Sequence, residues 1–154
     1  LGTGENVRGK DMTSLHHLAE TFIGSMVLDG VFERHRSLRG GVIELGAGFV
    51  PSLCNRLDWI AEIWRRSEPE LAALTRKPSD ILAEHVAFTP YVYEDVGALI
   101  RQSSSHLYLF SSDYPHTEGG RQPLERFTKS LESSDEQVKN HFYSENFARV
   151  FAVR

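Results

Sequence analysis

Cysteine is almost missing from this chain of 154 residues. Cys54 is the only one. That excludes an internal disulfide and a cysteine-based zinc site, and a reducing, cytoplasmic setting is the expectation. Long apolar runs are missing too. None approaches the ~18–20 residues of a membrane span, and no signal peptide opens the chain. There is no excess of basic charge, with 17 Lys and Arg against 21 Asp and Glu and a formal net charge of -4. Nucleic acid and anionic membrane are therefore not expected as partners. No Gly-x-Ser-x-Gly elbow, P-loop, internal repeat, low-complexity tract or interdomain linker is found. An initiating Met is also absent, and Leu1 in its place suggests a piece of a longer polypeptide.

What is present is ordinary for a globular domain: 40% hydrophobic and 25% charged residues. The length suits one domain spanning 1–154. Residues 1–12 are polar and glycine-rich and read as a loop. Leu15, Leu18, Phe22 and Met26, with Ala19, Ile23 and Val27 beside them, have helical spacing, and Gly30 is a plausible stop. Residues 31–39 read as a charged connection. The segment 41–45 reads as a short strand, and Pro51 as the opening of a helix whose inward face is Leu53, Leu57, Ile60, Ile63 and Trp64. Short helices are expected at 69–75 and 78–84, a strand at 86–89 and a helix at 94–102. A third strand at 107–112 and helices at 123–131 and 135–143 follow, with Asn146 capping a last turn. Strands alternating with helices imply parallel pairing and right-handed crossovers, an α/β fold.

The most informative run is Leu107-Tyr-Leu-Phe-Ser-Ser-Asp113-Tyr-Pro-His116-Thr-Glu118-Gly119. An apolar strand stops at an aspartate, and a histidine and a glutamate follow at once. In β/α barrels the chemistry sits at the carboxyl ends of the strands. Asp113, His116 and Glu118 suit a divalent metal or general acid–base work. On spacing alone, Asp113 as a simple turn cap stands as the alternative. Val42-Ile-Glu44-Leu-Gly46-Ala-Gly48 has three readings: a nucleotide or S-adenosylmethionine loop, a tight strand-to-helix turn, or a barrel site with Glu44 at its mouth. His16 and Glu20, spaced i, i+4, form either a metal pair or a solvated face. His35, His106 and His141 read as surface residues, and Cys54 as a small buried hydrophobe.

Several blocks then line up in order. Residues 30–39, Val42–Pro51, Arg56-Leu-Asp58, Lys77-Pro-Ser79, Phe110–Gly119 and Glu145–Ala148 together resemble the amidohydrolase-related (amidohydrolase 2) family. The resemblance implies the carboxyl-terminal half of a (β/α)8 TIM barrel, with 41–45, 86–89 and 107–112 as its last three strands. It implies a metal-dependent hydrolase or decarboxylase, a lyase, acting on a small carbonyl or carboxylate compound. Asp113 would be the metal ligand and proton-transfer group, with Glu44 and His116 as further catalytic groups. Gly46, Gly48, Phe49 and Glu118 would line the substrate site. Zinc is the expected metal, and manganese the alternative.

The chain also departs from that pattern. The family's His-x-His pair is missing, and Glu44 stands where some members carry a histidine. A whole barrel needs ~250 residues. The chain alone is thus expected to be inactive, and to need the other barrel half or a homo-oligomer partner to cover its open strand edges. A non-catalytic half-barrel that binds a partner subunit is the competing expectation.

Overall fold

The structure, a computed structural model, describes residues 9–151, without the side chain of Glu118. Most of the loop expected at 1–12 lies outside the described residues. Among these, α1 is His16–Leu28, α2 is Val31–Arg34, β1 is Gly40–Val42 and α3 is Val50–Trp64. They are followed by α4 (Pro69–Ala73), α5 (Pro78–His85), β2 (Val86–Phe88) and α6 (Val96–Gln102). The chain closes with α7 (Pro123–Ser130), α8 (Glu136–Asn140), a π-turn at His141–Glu145 and α9 (Asn146–Phe151). No helix among these is long and apolar enough to cross a membrane.

The sheet is small and parallel. β1 pairs with β2 in the register Gly40–Val86, Gly41–Ala87 and Val42–Phe88. β2 is the central strand, and all three of its residues are fully buried. An apolar strand covered on both faces is the mark of a parallel sheet. The third strand is reduced to one parallel bridge, Phe88 with Tyr108, and the Leu109 N–H donates to the Phe88 carbonyl at 3.0 Å. Its expected start is taken by a 3-10 turn at Ser105–Leu107, which Ser104 caps by accepting from the His106 N–H.

The helices depart from expectation in particular places. Residues 31–34 form a turn of helix, α2, where a loop is expected, after Gly30 at φ 66° reverses the chain. In α1, Ile23 and Val27 point inward, whereas Phe22 is 63% and Leu18 83% exposed. In α3 the buried face is Val50, Leu53, Cys54, Leu57 and Ala61. Ile63 and Trp64, in the last turn of the helix, lie outside it at 60% and 41% exposure. Cys54 is buried as expected, and that burial pushes its thiol up to about 12.

Two of the family-like blocks meet here. Asp58 on α3 accepts the Ser79 N–H at 2.9 Å and pairs with Lys77 Nζ at 3.0 Å. It therefore satisfies a free donor at the start of α5. Glu20, half of the i, i+4 pair, is ion-paired to Arg56 and joins α1 to α3. On the other side, Phe110, Phe127, Phe142 and Tyr143 stack edge-on and tilted around the chain's last third.

Candidate metal centre

Glu44 follows β1 and Asp113 follows the third strand position, so both lie at carboxyl ends of the parallel sheet. Both adopt the left-handed backbone region, Glu44 at φ 64° and Asp113 at φ 56°. Among the described residues they are the only non-glycine residues to do so. That conformation costs of the order of 1–3 kcal/mol for a residue with a side chain, and such residues cluster at functional sites.

The reversal brings two carboxylates and an imidazole together. His116 Nδ1 lies 3.5 Å from Glu44 Oε2 and 3.8 Å from Asp113 Oδ1. One donor atom from each of the three residues falls within 4.8 Å of the others. Asp113 is the least exposed member, with 9% of its side chain exposed, while Glu44 and His116 open to solvent. The spacing fits a divalent cation. Two ligands at ~2.1 Å from a tetrahedral ion stand about 3.4 Å apart. An O, O, N donor set with one open side suits zinc, and its two carboxylates suit manganese as well.

The loop carrying Glu44 is held by a residue whose role has no local signature. Glu94 accepts the N–H groups of Ala47 at 2.9 Å, Gly48 at 2.6 Å and Tyr91 at 2.7 Å. Tyr91 in turn donates its hydroxyl to the Glu44 carbonyl at 2.9 Å, and the Glu44 N–H donates to Thr89 Oγ1 at 3.0 Å. The sequence signal that finds Glu94 is its position. Asp95 caps α6, so Glu94 sits in the loop leaving β2, at the carboxyl end of a strand.

The glycines serve this packing. A Cβ on Gly46 would stand 2.6 Å from the Tyr91 ring, and one on Gly48 would stand 2.8 Å from Glu94 Oε1. The N–H groups that a nucleotide phosphate would use ahead of α3 are therefore engaged by the chain's own carboxylate, which removes the basis of the nucleotide-loop reading. Gly119 is similarly constrained, because its Cβ would stand 2.5 Å from the Ser112 carbonyl. Phe49 stacks on His16 at 5.0 Å and meets Phe88 edge-on at 5.7 Å. His16 belongs to this aromatic pair, and burial holds it below the usual histidine range. The backbone of Glu118 lies in the 3-10 turn Thr117–Gly119, and its side chain is outside the description.

The other histidines lie away from the cluster. His85 is fully buried, stacked on Phe32 at 4.7 Å with its Nδ1 2.7 Å from the Leu38 carbonyl. His141 is buried rather than on the surface. Its Nδ1 meets Ser105 Oγ at 2.8 Å, and its ring lies 4.3 Å from that of His106.

No family model and no curated protein matches the chain. Among solved structures it is similar to the crystal structure of an amidohydrolase from Mycobacterium avium subsp. paratuberculosis K-10. The TM-score is 0.71 and the identity 27%, over 96% of this chain and 37% of that one. The chain thus spans little more than a third of that protein's length. The mixed helix and strand chain with its small parallel sheet is consistent with a partial amidohydrolase-like domain.

Proposed function

We propose that this chain is the carboxyl-terminal half of a metal-dependent, amidohydrolase-like (β/α)8 barrel enzyme. Its substrate is a small carbonyl or carboxylate compound, hydrolysed or decarboxylated, and the setting is cytoplasmic. One observation carries the reading. Two strand-end carboxylates, both in the left-handed region, converge with His116 at ligand spacing. Asp113 would hold the ion together with Glu44 and His116, with zinc first and manganese second. A divalent ion there supplies Lewis-acid polarisation and lowers the pKa of water.

The chain's own groups divide the remaining work. In hydrolysis, water adds to the substrate carbonyl carbon and the bond to the leaving group breaks. Asp113 takes the proton that water gives up and passes it to the leaving atom. In decarboxylation the same carboxyl group returns a proton to the carbon that loses carbon dioxide. Its low exposure suits that task, because a shielded carboxyl group exchanges protons with substrate rather than with bulk water. Phe49 supplies an apolar wall, and Glu94 fixes the loop from which Glu44 projects. Gly46 and Gly48 keep that loop thin beside the substrate, and Glu118 follows the cluster on the same loop.

The test is Asp113→Asn in the polypeptide made from its natural full-length gene, screened on aromatic and dicarboxylic acids. Turnover should vanish while the far-ultraviolet spectrum stays unchanged. Undiminished turnover overturns the assignment. The second reading, a non-catalytic half-barrel that binds a partner subunit, draws on the apolar surface beside β1. A natural gene product with neither metal nor turnover favours it.

A further inference from the structure

Two tryptophans stand on the outside of α3. Ser52, Asn55, Trp59, Ile63 and, just past the helix end, Arg66 follow i, i+3, i+4 spacing, and all five are exposed. The stripe they form lies opposite the buried face of Leu53, Leu57 and Ala61. At its middle Trp59 is 44% exposed, with Ile63 one turn on and the Trp64 ring centroid 6.3 Å away. Single apolar residues scattered on a surface need no explanation, but adjoining ones with polar groups around them mark a contact surface. The helix itself is firmly seated, packed against α1, α5 and α6. No α3 residue lines the apolar groove that Phe22, Met26 and Ile43 form beside β1. The stripe is therefore separate from the open sheet edge.

We propose that this stripe is a two-fold interface with a second copy of the chain, α3 lying antiparallel on α3 with the contact centred on Trp59. The proposal needs neither the metal nor the barrel reading. The order of residues along the stripe selects the occupant. In a two-fold contact, residue i meets residue j of the other copy and j meets i. About an axis through Trp59 the two indoles meet at the centre, where the residues that carry binding energy sit. Glu62, exposed beside Asn55 on the same flank of the helix, then accepts from the amide of the partner's Asn55. Arg66 donates to the hydroxyl of the partner's Ser52. An apolar centre thus gains a matching centre, and each polar group of the rim gains an opposite. The parallel alternative sets Glu62 on Glu62 and Arg66 on Arg66, like charge against like, which interfaces avoid. A foreign partner is disfavoured by the same pattern, since nothing about it requires the stripe to complement its own reversed order.

One helix pair makes a small interface that assembles weakly, so the experiment is sedimentation equilibrium at about 10 to 200 μM on the polypeptide purified from its natural gene. The mass should rise with concentration toward twice that of the polypeptide. Trp59→Lys and Ile63→Lys should each leave a monomer with an unchanged far-ultraviolet spectrum. Leu124→Lys, at an exposed position of α7, should leave the dimer intact. Ser52→Glu brings a carboxylate to the partner's Arg66 and should tighten the dimer about two- to five-fold at low salt, the range of an exposed ion pair. In a parallel contact the same change opposes two carboxylates and weakens the dimer. A monomer throughout the range overturns the proposal, whatever else it binds, and so does a dimer untouched by Trp59→Lys and Ile63→Lys. An unchanged or weakened dimer in Ser52→Glu overturns the antiparallel arrangement. Chelation of metal and Asp113→Asn leave the expected dimer intact, so failure of the catalytic reading is read separately from failure here.

Discussion

Asn146 Nδ2 donates to the carbonyl of Tyr108 at 2.7 Å, and the same amide reaches the carbonyl of Ser105 at 2.7 Å. A fully buried side chain at the start of α9 thus replaces the strand neighbour that Tyr108 lacks. Asn146→Ala leaves two carbonyls without their donor, at a cost of about 1–3 kcal/mol for each buried group left unpaired. The urea midpoint of Asn146→Ala should fall clearly below that of the parent, with the slope unchanged. An unchanged midpoint would show that the bonds contribute nothing net.

The Glu94 carboxylate gathers three N–H groups from two loops. Glu94→Ala removes all three partners and frees the Gly46–Gly48 turn. Because Glu44 follows β1 on that same loop, the variant should bind a divalent ion at least ~10-fold more weakly, as expected when an outer partner of a ligand is lost. Isothermal titration with zinc or manganese measures this. Equal affinity in the two proteins would detach Glu94 from the site.

Burial holds His85 below the usual histidine range, and it is also the leading cause of the lowering at His16 and His106. The two nearby histidines, His17 and His141, add to it at His16 and His106 respectively. The sign follows from linkage. The unfolded chain takes up protons on these rings at about pH 6.5, before the folded protein does. Stability from this source is therefore complete above about pH 6.5 and is lost as the pH falls through the lowered values. Urea midpoints at pH 8.5, 7.5 and 5.5 should be level across the first two and lower at the third. His85→Leu should flatten the fall. A profile that rises toward acid contradicts the burial of these rings.

Gly97 permits α6 to approach α7 closely, since a Cβ there would collide with the Ser130 carbonyl. The Gly97 N–H also donates to Ser130 Oγ at 3.0 Å. Gly97→Ala should destabilise by about 1–3 kcal/mol, the range for forced overpacking, and thermal unfolding reads it directly. A neutral result would mean that the two helices separate without cost.

The sequence makes the strand-and-helix order legible because apolar runs and proline starts are local signals. Pro51, Pro69, Pro78 and Pro123 each open a helix within one residue of expectation. The third strand is not legible in the same way. Leu107–Ser112 has strand composition, but its first residue closes a 3-10 turn, and the residues past Tyr108 form no further strand bridge. The inward faces of α1 and α3 are misjudged at Leu18, Phe22, Ile63 and Trp64, because hydrophobicity does not tell which apolar residues lack a covering neighbour. Asp113 and His116 are readable as an abrupt end to an apolar run. From the local residues Glu44 is one of three readings of its loop, and only the family resemblance makes it a catalytic group, because nothing local says that it turns toward a residue 69 positions later. Glu94 is unreadable as a clamp for the same reason, since its partners Ala47 and Gly48 lie more than forty residues away.

The most direct test of the central claim is the metal content of the polypeptide from its natural gene, measured beside its Asp113→Asn variant by elemental mass spectrometry. The account predicts about one equivalent of zinc or manganese in the parent and a large loss in the variant, with folding intact. A parent that carries and binds no divalent ion, or a variant that keeps the full equivalent, would contradict it.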